Sequence, residues 1–500
     1  VDPGKLYEFA VSAVSAAGEG ELRPVLSQSS APGAPDAPTS TLQTSTSISL
    51  SWTAPSSDSA SGDDATRYRV YDSSSAVLYD GEQTAFEHDG LTGGTSYSYT
   101  VSALSGSGEG PKSASLSQET APGAATGLVA SDQTTSSIKL DWTAPSVASE
   151  TPVLGYKVYE RVIHELGDVG SGTVPDSALQ TMLSGSTDKV VADTVVYDGR
   201  SDSTASTTLS GLSGGVEYAY VVATVSSAGE GDRSAALSAS TSPPAPTDLS
   251  SVSQTTSSIS LSWSAPVVTS GAAVTGYEVY QSVTGGTAAA LSCGGDALST
   301  TCEATGLTGG TSYSFEVLAT SAAGDSDRSA ALTQSTSPAA VGTVEFSSVT
   351  MTSMVLTWSA PAGDAPTGYV VYHEGDRRTV AYDGAATTAT IEGLAGGTAY
   401  SYVVASLSAA GVGDVSAVAT QSTSPATPLD LSSTLQTSTS ISLSWSASVV
   451  QTNGEAVTNY RVYQNDGAGG SLPSTATWES TDGTATSTAM TVDPGTLYAF

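Results

Sequence analysis

The sequence Ser47-Ile48-Ser49-Leu50-Ser51-Trp52 alternates small polar residues with apolar ones and ends in tryptophan. A period of two is typical of a β-strand with one buried and one wet face. Near-copies of this phrase end in the five tryptophans Trp52, Trp142, Trp263, Trp358 and Trp445. Their successive spacings are 90, 121, 95 and 87 residues, which predicts a tandem array of domains.

The composition is acidic and poor in charge. Charged side chains make up 13% of the 500 residues, with 15 Lys and Arg against 49 Asp and Glu and a net charge of −34. Nucleic acids and anionic membrane surfaces are bound through Lys and Arg, so we expect no nucleic-acid partner. No apolar run approaches the length of a membrane helix, and we expect no membrane span in this sequence.

Proline-containing junctions separate the repeats. Proline lacks a backbone donor and ends strands, so each junction predicts a domain boundary. The junctions contain Pro32, Pro122, Pro243, Pro338 and Pro425. We predict complete domains at 33–122, 123–243, 244–338 and 339–425, and partial domains at 1–32 and 426–500. Short linkers that contain proline predict a stiff array.

The two ends of the sequence resemble each other. Val1–Phe9 and Val492–Phe500 share Val-Asp-Pro-Gly followed, one residue later, by Leu-Tyr. We therefore expect both ends to lie inside the same element of a repeat. The sequence is then a window on a longer protein, with any targeting signal outside it.

Two further motifs follow the tryptophans in a constant order. The first is Tyr-x-Val-Tyr, as at 68–71, and the second is Leu-x-Gly-Gly-Thr-x-Tyr, as at 91–97. Helical periodicity is nearly absent. Many short alternating segments with turn signals between them predict a β-sandwich.

Trp-x-x-Pro, Tyr-x-Val and the Gly-Gly turn together resemble the fibronectin type III domain, over essentially the whole chain. Departures are Val216-Glu217 in the second full unit, Ser448 in place of proline, and Val492–Gly495 in place of Leu-x-Gly-Gly. The resemblance implies an all-β fold of tandem seven-stranded, immunoglobulin-like sandwiches in a linear rod. It also implies tyrosine corners, in which a hydroxyl bonds nearby backbone. The corner residues are then Tyr97, Tyr218, Tyr313, Tyr400 and Tyr498.

The repeated aromatic residues have two interpretations, core packing and a carbohydrate-stacking platform. Core packing is favoured because the tryptophans recur at inward positions of a strand. We therefore place Trp52, Trp142, Trp263, Trp358 and Trp445 in the structural core. Trp478 stands where other units have Tyr79, Tyr197 and Tyr382, and we interpret it as a packing residue rather than a binding residue.

The two cysteines, Cys293 and Cys302, lie in the third full unit. Cys302 aligns with Phe86 when counted back from the Gly-Gly motif, and Cys293 falls near the aromatic position of the preceding strand. We expect a local disulfide between these two strands, and two free thiols are the alternative. A disulfide implies an oxidising compartment, hence an extracellular or cell-surface location.

No pattern of side chains indicates catalysis, a metal site or a cofactor site. His88, His164 and His373 fall in different units, and His164 lacks the second histidine of a zinc helix. The acidic pair Asp63-Asp64 lacks the ligand density of a calcium loop, so solvated loop acids are favoured. We expect no enzymatic activity, no metal and no cofactor.

The second full unit carries an insertion. Tyr159 and Tyr197 are 38 residues apart, where Tyr71 and Tyr79 are 8 apart, so 30 extra residues lie near 162–192. Residues 177–183 follow a proline and predict a short helix. Long loops in compact domains are functional or passive, and both interpretations stay open here.

Repetition without a catalytic set favours an extracellular structural protein, a segment of a surface filament, appendage or matrix rod. One alternative is an adhesin stalk or a carbohydrate-binding array. Another is a non-catalytic spacer of a secreted polysaccharide-degrading enzyme. Expected partners are other copies of the chain or neighbouring domains. O-linked glycans on Ser- and Thr-rich runs, such as 203–208 and 484–488, are a further expectation, and unmodified small polar residues are the alternative.

Overall fold

A computed structural model describes residues 1–56, 64–147, 152–165, 189–451, 453–465 and 471–499. Every regular element in these ranges is a β-strand, as the period-two pattern predicts. Contacts divide the chain into two compact units. The first comprises Val1–Pro244, Pro266–Thr275 and Ala319–Asp327, and the second comprises Ala245–Ala265, Gly276–Leu318 and Arg328–Phe500.

The first unit begins with four short strands. They are β1 (Leu6–Phe9), β2 (Val14–Ser15), β3 (Gly18–Glu19) and β4 (Leu26–Ser29). β1 pairs with β4 and β2 pairs with β3, both antiparallel.

The next eight strands form the first complete sandwich. They are β5 (Thr39–Gln43), β6 (Ser47–Ser51), β7 (Arg67–Tyr71), β8 (Val77–Gly81), β9 (Ala85–Asp89), β10 (Ser96–Ser105), β11 (Gly108–Glu109) and β12 (Leu116–Glu119). One sheet has the order β5-β6-β9, and the other has the order β11-β10-β7-β8, with β12 also on β10. Inward side chains of both sheets meet, so Ile48, Val70 and Val101 are completely buried.

The second sandwich repeats this topology and carries the insertion. Its strands are β13 (Thr126–Ser131), β14 (Ser137–Thr143), β15 (Gly155–Glu165), β16 (Lys189–Gly199), β17 (Ser206–Ser210), β18 (Glu217–Ser226), β19 (Gly229–Arg233) and β20 (Leu237–Ser240). The sheets are β13-β14-β17 and β16-β15-β18-β19, with β20 also on β18. β15 and β16 form a ribbon of 11 residues each, so both flanks of the insertion continue the sheet. The helix predicted at 177–183 lies outside the described residues.

The second unit holds most of the third sandwich and all of the fourth. The third has β21 (Thr247–Gln254), β22 (Ser258–Ser264), β23 (Val274–Val283), β24 (Ala289–Leu291), β25 (Thr301–Thr305), β26 (Ser312–Ser321) and β27 (Leu332–Ser335). The fourth has β28 (Glu345–Ser347), β29 (Ser353–Thr357), β30 (Gly368–His373), β31 (Asp376–Gly384), β32 (Thr388–Glu392), β33 (Ala399–Ser408), β34 (Gly411–Val415) and β35 (Ala419–Ser422). Their sheet orders are β21-β22-β25 with β24-β23-β26-β27, and β28-β29-β32 with β31-β30-β33-β34, where β35 also pairs with β33.

The fifth, partial sandwich contains the remaining strands. They are β36 (Leu429–Gln436), β37 (Ser440–Ser446), β38 (Arg461–Val462), β39 (Trp478–Glu479) and β40 (Ser487–Thr491). β36, β37 and β40 form one sheet, and β38 pairs with β39. Its small core contains Leu443, Trp445, Tyr460, Val462 and Met490.

Candidate functional site

The five repeated tryptophans are core residues. Each is only 5–7% exposed. In the first four sandwiches the ring packs edge-on against the first tyrosine of Tyr-x-Val-Tyr, with centroid separations from 5.1 Å for Trp142 and Tyr156 to 5.8 Å for Trp52 and Tyr68. Trp478 of β39 packs in the same way, 6.0 Å from Trp445. Rings buried in this manner present no face for a sugar to stack on.

A tyrosine corner closes the Gly-Gly turn of each of the first four sandwiches and the Val492–Gly495 turn of the fifth. In every case the hydroxyl accepts a hydrogen bond from the backbone N–H five residues earlier. The pairs are Thr92–Tyr97 at 3.0 Å, Ser213–Tyr218 at 2.9 Å, Thr308–Tyr313 at 2.9 Å, Ala395–Tyr400 at 2.8 Å and Asp493–Tyr498 at 2.8 Å. The turn between them needs a left-handed residue, and Gly94 has φ = +64° there.

A disulfide joins Cys293 to Cys302 in the third sandwich, with the two Cα atoms 5.2 Å apart. Cys293 follows β24 and Cys302 lies in β25, so the bond connects the two sheets. Cys302 is only 5% exposed and belongs to the hydrophobic core.

The second tyrosine of Tyr-x-Val-Tyr lies on the outer face of the larger sheet, where a cation covers it. Lys112 Nζ lies 3.6 Å from the ring centroid of Tyr71, and the guanidinium of Arg233 lies 4.0 Å from that of Tyr159. The Tyr159 hydroxyl donates to Glu230 at 2.5 Å. Burial, followed by this hydrogen bond, raises the pKa of Tyr159.

The third sandwich has the same cation–π contact, with the Arg328 guanidinium 3.7 Å from the ring centroid of Tyr280. In the fourth sandwich Val415 occupies the equivalent position. These cation–π contacts were not predicted from the sequence, although the positions of the cations in the repeat could have indicated them. Lys112, Arg233 and Arg328 all stand four residues after the glycine that starts the last turn of their sandwich.

Charged groups at the base of the insertion ribbon also have structural partners. Arg161 donates to both carboxylate oxygens of Asp193 at 2.9 Å, and Arg233 bonds the same carboxylate. Donation from Arg161 is the main reason why the pKa of Asp193 is lowered. The ion pairs fasten the described part of the ribbon to its sheet.

The histidines and acids do not converge on one place. His88 shares a hydrogen bond of 3.0 Å with the Tyr99 hydroxyl, and His373 packs 4.8 Å from the Tyr402 ring. His164 lies in β15, Asp64 is exposed, and Asp63 lies outside the described residues. Within the described ranges, no group of three or more His, Cys, Asp or Glu side chains has a geometry that holds a metal ion.

The joints between successive sandwiches are the sites at which polar groups converge repeatedly. In the first unit, Asp232 N–H donates to the carbonyl of the linker residue Pro122 at 3.2 Å. In the second unit, Asp414 N–H does the same to Pro338, also at 3.2 Å. A methyl group on Gly231 would lie 2.2 Å from the Pro122 oxygen, so glycine is required for this close approach.

A second set of bonds connects the Gly-Gly turns of the second, third and fourth sandwiches with the sandwich that follows each. The Gly215 carbonyl accepts from the N–H groups of Thr269 and Gly271, both at 3.1 Å. The Gly310 carbonyl accepts from Asp364 at 2.5 Å, and the Gly397 carbonyl accepts from Gln451 at 3.1 Å. The linkers before and after the third sandwich are themselves buried, as Thr241, Ser242 and Thr336 are inaccessible to solvent. These joints can hold neighbouring sandwiches at a set distance.

The described residues contain no helix that is long and apolar enough to span a bilayer.

Comparison with known proteins agrees with this architecture. Chitinase A1 of Niallia circulans is 36% identical over 176 residues, which are 33% of this chain and 23% of that protein. Exoglucanase B of Cellulomonas fimi is 29% identical over 316 residues, 58% of this chain and 24% of the relative. Endoglucanase B of the same organism is 32% identical over 274 residues, which are 49% of this chain and 24% of that protein. The matched part is thus about a quarter of each relative.

The family model of the fibronectin type III domain matches four successive stretches, 33–119, 121–240, 244–335 and 339–422. These stretches cover well over half of the chain and contain the tryptophan cores, tyrosine corners and joints described above. The chain therefore belongs to the fibronectin type III domain family, as a tandem array of such sandwiches.

Proposed function

We propose that the chain is a non-catalytic spacer within a secreted polysaccharide-degrading enzyme and that it lies outside the cell. The observation that carries the proposal is its similarity to a chitinase and two glucanases. The part of this chain that matches them consists of fibronectin type III domains. This similarity supports the spacer better than the surface filament favoured by the repetition alone.

The geometry supports a spacing role. Repeated bonds between sandwiches, and buried linkers on both sides of the third one, limit the freedom of the joints. A disulfide strengthens one sandwich against the conditions found outside cells. The most conspicuous polar groups have structural partners, such as Glu230 with Tyr159 and Asp193 with Arg161. We therefore assign no catalytic role to them.

Polysaccharide recognition, in this proposal, belongs to other domains of the same protein. The tryptophans are buried in the cores, and cations cover Tyr71 and Tyr159. A carbohydrate-binding array would instead present exposed aromatic faces along one side of the sheets.

The decisive test is to determine the gene sequence on both sides of the part that encodes these 500 residues. We expect it to encode a polysaccharide-degrading domain joined to this array. A complete reading frame without such a domain would overturn the proposal.

A second test uses the full-length protein. Deletion of residues 33–422 should leave hydrolysis of a soluble oligosaccharide unchanged and slow hydrolysis of the insoluble polymer. Replacement of the same segment by an unrelated array of equal length should restore the rate. An equal loss on soluble and insoluble substrates would contradict a spacing role.

We also propose O-linked glycans on exposed hydroxyls of this array. Ser203, Thr204, Thr484 and Thr486 are exposed in the Ser- and Thr-rich runs. The segment that comprises these 500 residues, released from material of the native source, should have a mass above the 49.8 kDa of its polypeptide. A mass equal to that of the polypeptide would refute the modification.

A further inference from the structure

We propose that a side-chain hydrogen bond between a turn hydroxyl and a carboxylate of the next sandwich locks the angle of the joints at which it forms. Thr135, in the turn between β13 and β14, donates to Asp327 of the third sandwich at 2.9 Å. Thr256, in the turn between β21 and β22, donates to Asp414 of the fourth at 2.8 Å. Ser45 of the first sandwich donates to Asp232 of the second in the same way.

The three contacts are equivalent in the repeat. Ser45, Thr135 and Thr256 each stand two residues after a glutamine that ends or follows the first strand of a sandwich. Each carboxylate stands three residues after the glycine of the turn that follows β18, β26 or β33. Three repetitions of one contact, with different sequences around it, argue against coincidence.

The linker residue Ser242 bonds to both sides of the joint that the contact between Thr135 and Asp327 crosses. Ser242 N–H donates to the Thr134 carbonyl at 3.0 Å, and the Ser242 hydroxyl donates to the Ala323 carbonyl at 3.0 Å. The turn, the linker and the following sandwich are therefore bonded to one another. Ser242 is completely buried, so rotation of the joint would leave buried polar groups without partners.

The next joint has the same construction. Ser337 N–H donates to the Thr255 carbonyl at 2.9 Å, and its hydroxyl donates to the Ala410 carbonyl at 3.2 Å. Breaking the bond between Thr256 and Asp414 would release one corner of this assembly while leaving the backbone bond from Asp414 to Pro338 in place.

The fourth sandwich departs from the pattern. Met351 stands at the position of Thr256. A thioether has no hydrogen to donate, so this position cannot form the lock. The lock is thus a property of particular joints and not of the fold as such.

The inference goes beyond the proposed function, because a flexible tether would also act as a spacer. Failure of the lock would leave the spacer proposal intact. Failure of the spacer proposal would leave the joint geometry unchanged.

The test measures the distribution of distances across one joint. Both native cysteines are in the disulfide, so cysteines introduced at exposed Glu303 and Glu392 can be spin-labelled selectively in the full chain. Thr256→Val keeps the shape and removes the donor. In this variant we expect the distance distribution from double electron–electron resonance to become about twofold broader, since unlocked domains move relative to one another by default.

Three further variants make the result specific. Asp414→Ala should broaden the distribution as Thr256→Val does, whereas Asp414→Asn retains an acceptor and should stay near the parent. Ser438→Val changes the equivalent turn of the fifth sandwich and should have no effect across the labelled joint. Unchanged circular dichroism shows that the sandwiches stay folded. A distribution of parental width in both Thr256→Val and Asp414→Ala overturns the proposal.

Discussion

A single hydroxyl at each Gly-Gly turn satisfies a backbone donor that strand pairing leaves free. Tyr313 is 5% exposed, and its hydroxyl accepts from Thr308 N–H. Tyr280, by contrast, donates to Glu278 at the surface, at 2.7 Å. The two tyrosines therefore allow the value of a corner hydroxyl to be measured within one sandwich.

Tyr313→Phe should lower the free energy of unfolding of the third sandwich by about 1 kcal/mol, because Thr308 N–H loses its acceptor. Tyr280→Phe, the control, should have a smaller effect. Urea unfolding monitored by tryptophan fluorescence measures both. Equal losses in the two variants would argue against a special role for the corner.

We expect His88 to make the first sandwich sensitive to acid. Burial lowers its pKa below the usual 6.5, so the folded state holds the ring neutral while the unfolded chain binds a proton more readily. Stability should be full above about pH 6.5 and should fall as the pH drops from there towards the lowered pKa. His88→Asn should flatten this dependence between about pH 5 and 7.5. An unchanged slope would show that other groups cause it.

At the scale of elements, the tryptophan strands and the Tyr-x-Val strands could be predicted because their apolar residues alternate. The division of the last strand of the first sandwich into β11 and β12 could not be predicted. Between β11 and β12, the Ser113 hydroxyl accepts from Val101 N–H at 3.0 Å and replaces a ladder bond. A serine that substitutes for backbone pairing looks like any other serine in a sequence rich in them.

The joints were also beyond prediction. Thr135 and Asp327 are 192 residues apart, and Thr256 and Asp414 are 158 apart. No periodicity connects such pairs, and only the packing of one sandwich on the next brings them together. The disulfide was predictable because its two cysteines occupy neighbouring strands of one repeat.

The disulfide should stabilise one element pair and leave the rest of the array unaffected. Its sequence separation is 9 residues, for which loop closure predicts about 2–3 kcal/mol. Cys293→Ser together with Cys302→Ala should destabilise the third sandwich by that amount. The first, second and fourth sandwiches lack cysteine and serve as internal controls in hydrogen exchange. Loss of protection throughout the chain would contradict a local effect.

At the scale of the whole molecule, the net charge of −34 opposes the compact state. Salt screens this repulsion, with a Debye length near 10 Å at 0.1 M. The thermal midpoint should therefore rise as NaCl is added at pH 7. Near the isoelectric point of about 4.1 the net charge vanishes, and the rise should disappear. An equal salt effect at both pH values would indicate a cause other than self-repulsion.

The recurring joint also bears on how such an array changes in evolution. The second and third sandwiches each carry both halves of the contact, a turn hydroxyl for the unit after it and a carboxylate for the unit before it, as Thr256 and Asp327 show in the third. Residues 41–52 and 434–445 are identical, a match of twelve residues between the first and the fifth sandwich. Unequal crossing-over between such matching segments adds or deletes whole units, and a new boundary is locked wherever the unit before it supplies a turn hydroxyl. The copy number can therefore drift, and the reach of the array with it, without any compensating point mutation.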